Sequence, residues 1–108
     1  MYKLKFSNYI YDDVESSINY IKNVLENPIA AQKLKKEVIK TYKKIKKNPL
    51  IYPKVPVEHL ALKGFRFKMV KNYMLFFRVK DKDKEKEINV ERFLYGPRDW
   101  ITILENTN

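Results

Sequence analysis

The chain has 108 residues, no cysteine and a formal net charge of +10 at pH 7. That length suits one domain around a single hydrophobic core, and the missing thiols exclude a disulfide framework or a thiolate zinc site. With 44% hydrophobic and 14% aromatic residues, the composition is that of a globular chain and not of a disordered one.

The N-terminal run MYKLKFSNYIYDD holds no uncharged apolar stretch of signal-peptide length, and no segment reaches the length of a membrane span. The expectation is a cytoplasmic protein. So basic a balance predicts attraction to nucleic acid, to an acidic surface or to an acidic protein, unless it reflects general lysine richness. The two cations are segregated. All four arginines (Arg66, Arg78, Arg92 and Arg98) lie between Leu60 and Trp100, whereas eight lysines fall between Lys33 and Lys47. Arginine offers a planar fork suited to phosphate, and lysine a solvated point charge.

In chain order, Tyr2, Leu4 and Phe6 alternate with Lys3, Lys5 and Ser7, the period of a half-buried strand. Asn8 is a candidate N-cap, with Asp12, Asp13 and Glu15 near the positive end of the helix that follows. Ile10, Val14, Ile18, Ile21 and Leu25 give that helix about four turns of apolar stripe. Asn27-Pro28 ends it and starts a second helix, whose stripe runs Ala30, Leu34, Val38, Tyr42, Ile45 to Asn48-Pro49. So short a joint makes the two helices an antiparallel hairpin.

Residues 48–59, with three prolines, read as an irregular loop. Three strands then follow: one around Phe65 to Val70, Tyr73 to Val79 and Ile88 to Tyr95. The turn Lys71-Asn72 and the charged run Lys80 to Glu87 separate them, and an antiparallel meander results. Gly96-Pro97 turns the chain into a short terminal helix. The architecture expected is a two-layer α+β domain, β-α-α-β-β-β, spanning residues 1–108. Its helical hairpin packs on one face of an antiparallel sheet.

Several chemistries drop out. Glycines only at 64 and 96 permit no Gly-rich phosphate loop, His59 has no nucleophile signature nearby, and the acids are too scattered for a metal site. No cofactor or metal is expected. A basic and aromatic set remains. Arg66 and Lys68 share one face of the second strand, opposite Phe65, Phe67 and Met69, and are expected on a sheet face that the helices leave open. Arg98 follows the last strand, close in sequence to Tyr95 and Trp100. Cations beside exposed aromatics suit phosphate neutralisation and base stacking.

The run GFR…NYMLFFRV…INVERFLYGPRDW, in this element order, resembles the RelE/ParE superfamily of type II toxin-antitoxin toxins. The hairpin joint N-P-x-A-A is similar to the ParE side and the plasmid-stabilisation proteins. The resemblance implies a growth-inhibiting toxin with a cognate acidic antitoxin as partner. In the ribosome-dependent endoribonuclease branch, basic residues contact mRNA without a metal. Carried over by position, Arg66 and Lys68 match the basic pair of the second strand, and Arg98 matches the arginine after the last strand. Met74 stands where that branch has an arginine, and no tyrosine follows Arg98, so Tyr95 and His59 are the substitutes for its general acid or base. The ParE branch instead binds DNA gyrase and needs no catalytic set. A non-toxic nucleic-acid-binding module is the third alternative.

Overall fold

The computed structural model describes residues 1–82 and 84–107. The elements are β1 (Lys3–Phe6), α1 (Ile10–Asn19), α2 (Pro28–Lys47), α3 (Glu58–Leu62), β2 (Arg66–Val70), β3 (Tyr73–Lys82), β4 (Glu85–Tyr95) and α4 (Trp100–Glu105). The order and the α+β class are those read from the sequence, and three additions matter. α1 runs on into a π-helical turn, Tyr20–Val24; a 3-10 turn, Pro49–Ile51, follows α2; and the proline-rich stretch ends in α3. His59 is therefore helical and not in a loop.

Local chemistry accounts for the hairpin. Asn27 caps α2 by accepting from the Ala30 N–H at 3.0 Å, with Pro28 in the first turn, where a missing N–H costs nothing. At α1 the cap is Tyr9 and not Asn8, and Ser7 Oγ accepts from the Tyr9 N–H at 3.2 Å.

The sheet order is β1-β4-β3-β2. β2, β3 and β4 form the expected antiparallel meander, but β1 lies parallel to β4, with Leu4 opposite Ile88 and Phe6 opposite Val90. The sheet is therefore mixed, and not antiparallel throughout. Nothing local to β1 carries that signal, because its partner strand is at the far end of the chain.

Both faces of the sheet are covered. On one, Ile10, Leu34, Val38 and Ile45 of the hairpin pack on Val70, Leu75, Phe77, Val90 and Phe93. On the other, Val55, Leu60 and Leu104 pack on Phe65, Met74, Phe76 and Leu94, with Trp100 lying 5.4 Å from Phe76. The expectation of an open face is thus wrong: α3 and α4 occupy it. The alternation in β2 is as read, with its direction reversed. Phe65 and Phe67 join the second core, whereas Arg66 and Lys68 pair with Phe77 and Leu75 on the hairpin side.

One clamp joins α1 to the sheet. β1 accompanies β4 only as far as Val90, and a bulge leaves Glu91 extra, with Phe76 opposite Arg92 but Phe77 opposite Val90. The edge beyond is closed by side chains. Ser7 Oγ donates to the Glu91 carbonyl, and Asp13 Oδ2 accepts from the Phe93 N–H at 3.0 Å. Arg92 donates to both Asp13 oxygens, at 2.8 and 2.9 Å, and its guanidinium lies 4.4 Å from the Tyr9 ring centre. Both side chains are nearly sequestered, at 14% and 11% exposure.

Removing one partner of a sequestered pair strands the other charge. Arg92→Ala is expected to lower unfolding free energy by about 3 kcal/mol in urea titration. Asp13→Asn, which keeps an acceptor for the Phe93 N–H but strands the permanent Arg92 charge, should cost a comparable amount. A second expectation concerns alkali. Burial, reinforced by the Asp13 charge, pushes the Tyr42 phenol from 10.0 to about 12. The folded chain then holds that proton more tightly than the unfolded one, so the contribution is complete below pH 10 and is lost as pH rises toward about 12. Tyr42→Phe should flatten this part of the stability profile against pH.

Candidate functional site

A concavity of ≈ 700 Å³ opens where α1 and its π turn face the end of the sheet. Asp12, Asp13, Ser16 and Ser17 of α1 form one wall, and Tyr20, Ile21 and Leu25 continue it. A π turn is wider than an α turn and often marks a functional segment. Here it brings Tyr20, Ile21 and Leu25 together onto the same border. Tyr73, Phe93 and Tyr95 form the opposite wall, with Asn72 and Arg98 at the rim.

The aromatic wall has defined geometry. Tyr73 stacks on Phe93 with centroids 4.9 Å apart at 10°, and meets Tyr95 edge-on at 5.5 Å. Burial raises the Tyr73 phenol above its ordinary value, the Ser17 side chain opposes that rise, and the nearby Tyr95 and Tyr20 phenols add to it. Tyr73 therefore holds its proton more firmly than a free phenol, with two further phenols beside it.

Arg98 owes its position to a turn and a cap. The Gly96 N–H donates to the Asn72 carbonyl at 2.8 Å, and a Cβ on Gly96 would come within 3.0 Å of that oxygen, so glycine suits the close approach. The Arg98 N–H donates to the Tyr95 carbonyl at 3.0 Å. Asp99 then caps α4, accepting from the Thr102 N–H and hydroxyl, which holds its carboxyl below the usual range. The backbone on both sides of Arg98 is fixed, whereas its guanidinium is exposed and has no carboxylate partner among the described residues.

The other arginines are engaged in the fold. Arg66 Nη1 donates to the Tyr52 carbonyl at 2.6 Å, Arg78 donates to Glu91 at 2.8 Å while stacked over Phe65, and Arg92 holds Asp13. Of the five sequence candidates, only Arg98 and Tyr95 meet at the cleft. Arg66 and Lys68 lie on the edge strand β2, outside its lining. His59 sits on the opposite side of the sheet, its Nε2 2.6 Å from Glu105 on α4. Tyr73, Tyr20 and Ser17 belong to the site without having been singled out. Tyr73 was present in the N-Y-x-x-x-F-R-V run, and Ser17 and Tyr20 are three residues apart on one helix, the spacing of a shared face.

A second opening, an apolar groove of ≈ 390 Å³, lies between β1, α1 and α2. Phe6, Tyr11, Val14, Ile18, Ile39 and Tyr42 line it, with Glu15 and Lys35 among its polar residues. Phe6 and Ile39 remain about half exposed there, at 51% and 46%.

No curated protein matches the chain. A solved chain described as "Chromosomal ParDE TA system from P. aeruginosa" has a similar fold, with a TM-score of 0.68 and 23% sequence identity. The likeness covers 88% of this chain and 96% of that one. Residues 4–100 match the family described as "ParE toxin of type II toxin-antitoxin system, parDE". The chain therefore belongs to the ParE toxin family and is the toxin component of a type II toxin-antitoxin system.

Proposed function

We propose that this toxin arrests growth by binding DNA gyrase in the cytoplasm, with the Tyr95–Arg98 cleft as the contact surface, and that it does not cut RNA. The observation that carries this reading is the scattering of the residues a metal-free nuclease would need. Arg66 is tied to a backbone carbonyl, His59 is paired with Glu105 across the sheet from Arg98, and Met74 is buried in the second core. Proton transfer needs an acid and a base within hydrogen-bond reach of one reacting centre, and His59 and Tyr95, the pair the nuclease reading requires, do not meet around Arg98. Ring faces, phenol donors and one unpaired cation instead suit the recognition of a partner, since aromatic and arginine side chains dominate binding hot spots.

Membership of the family implies an antitoxin. We take its binding segment to be acidic and amphipathic, folding on contact, with apolar side chains in the groove beside Tyr11 and Ile39 and a carboxylate toward Lys35 on the groove flank of α2.

Two experiments test these assignments. Tightly repressed induction in a bacterial host, with separate pulse labelling of DNA and protein synthesis, should show DNA synthesis failing first while translation continues. Arg98→Ala and Tyr95→Ala should abolish the arrest, with stability unchanged to about 0.5 kcal/mol at exposed Arg98 and lowered by about 1 kcal/mol at Tyr95, which loses its contact with Tyr73. His59→Ala should retain it. Prompt loss of protein synthesis would instead assign ribosome-dependent mRNA cleavage, with Arg66, Lys68 and Arg98 as the phosphate contacts. For the groove, Ile39→Glu should keep the toxin active but prevent its neutralisation and co-purification with the antitoxin; rescue at wild-type level would remove the groove from the interface.

A further inference from the structure

α2 presents three separate surfaces. Ala31, Leu34, Val38, Thr41 and Ile45 are buried against the sheet. One flank, with Lys35, Ile39 and Tyr42, borders the apolar groove. Lys33, Lys36, Lys40, Lys43, Lys44 and Lys47 recur at spacings of three and four on the remaining side, opposite the buried stripe, and all are exposed. From Lys33 to Lys47 the row extends for about 21 Å at the rise of an α-helix.

The row is not simply a sample of a lysine-rich chain. On the β3–β4 hairpin, lysines are matched by acids: Lys80 lies 3.2 Å from Glu85 and Lys86 3.9 Å from Asp81, while Lys5 on the adjoining strand lies 2.7 Å from Glu87. None of the six α2 lysines has a carboxylate within ion-pair distance among the described residues, and Glu37 is the only acid on the helix. The helix dipole favours Lys44 and Lys47 in the last turn, but it does not account for Lys33, Lys36 and Lys40. Like charges three and four residues apart repel, so the row works against the helix that carries it.

We infer that this row binds the phosphate backbone of duplex DNA. Lysine is a mobile point charge that neutralises phosphate without reading bases, and duplex phosphates are dense enough for a straight helix to meet several at once. A protein partner would require a cluster of apolar anchors, whereas this side of α2 offers Ile29 alone, at its N-terminal end beside Lys33 and Lys36; Ile39 lies on the groove flank. Binding would be independent of sequence, in the micromolar range at physiological salt. The inference rests on charge placement alone and stands whatever the toxin's target is.

The test uses the full chain and a fluorescently labelled duplex of about 20 base pairs and arbitrary sequence, titrated by anisotropy from about 50 to about 200 mM salt. A log–log salt slope of about −4 to −5 is expected, since each neutralised phosphate contributes about −0.9. The triple variant Lys36→Gln, Lys40→Gln, Lys43→Gln should bind at least tenfold more weakly at low salt. Its slope should be shallower by about 2.7. The control triple Lys80→Gln, Lys82→Gln, Lys84→Gln should bind as the parent does. Circular dichroism should show undiminished helix in both, because the first substitution relieves repulsion. Equal loss in the two triples, a parent slope shallower than about −1, or binding to phosphatidylserine vesicles but not to the duplex would each overturn the inference.

Discussion

The fold depends on one carboxylate at a strand edge. β4 is covered by β1 only to Val90, and the backbone beyond it would present unpaired groups beside a helix. Asp13 satisfies the Phe93 N–H and holds both arms of Arg92, which in turn lies over Tyr9. Charges this deeply sequestered are stabilising only when their hydrogen bonds are nearly complete. Here the carboxylate accepts three donors, so the geometry meets that condition. The same contact sets the distance between α1 and the sheet, and with it the width of the cleft that both residues help to line.

That clamp changes what the arginines mean. Their confinement between Leu60 and Trp100 suggests a set of phosphate forks, and a planar guanidinium does suit phosphate. The same planarity suits a carboxylate or a carbonyl inside the fold. Arg78 and Arg92 each hold an acid, Arg66 holds a carbonyl, and only Arg98 faces outward without a carboxylate among the described residues. A bulge makes room for two of these pairs, because the extra residue in β4 brings Glu91 and Arg92 into reach of partners on different elements. Composition cannot separate the two uses. Only the position of the nearest acid can, and the acids concerned lie far away in the chain.

How much was legible follows from the range over which each signal acts. Asn27-Pro28 and Asn48-Pro49 gave the limits of α2 because caps and prolines act locally. The β2–β3–β4 meander was legible for the same reason. The parallel β1–β4 pair, the bulge and the π turn answer to tertiary contacts and left no local mark. The covered second face was partly legible: Met74 to Phe77 is an unbroken apolar run, the mark of a strand buried on both sides, whereas the clean alternation of β2 reflects its place at the edge. At the site, Tyr95 and Arg98 could be read from the turn at Gly96-Pro97. Tyr20 and Ser17 reach it only through the docking of α1.

α1 is the common wall of the two openings. Ile10, Tyr11, Val14 and Ile18 turn toward the groove, and Asp12, Asp13, Ser16 and Ser17 toward the cleft. On the proposed assignments, an antitoxin segment in the groove does not touch the target surface directly. Neutralisation then has two physical routes: bulk extending past the groove to screen the cleft, or displacement of α1 that deforms it. Displacement would break the Asp13–Arg92 contact and expose the Phe93 N–H, a cost that the antitoxin's binding energy would have to exceed. Screening leaves the clamp intact and needs only additional length in the antitoxin. The two routes differ in what they require of Arg92: screening is indifferent to its loss, whereas a displaced helix would move more easily without it.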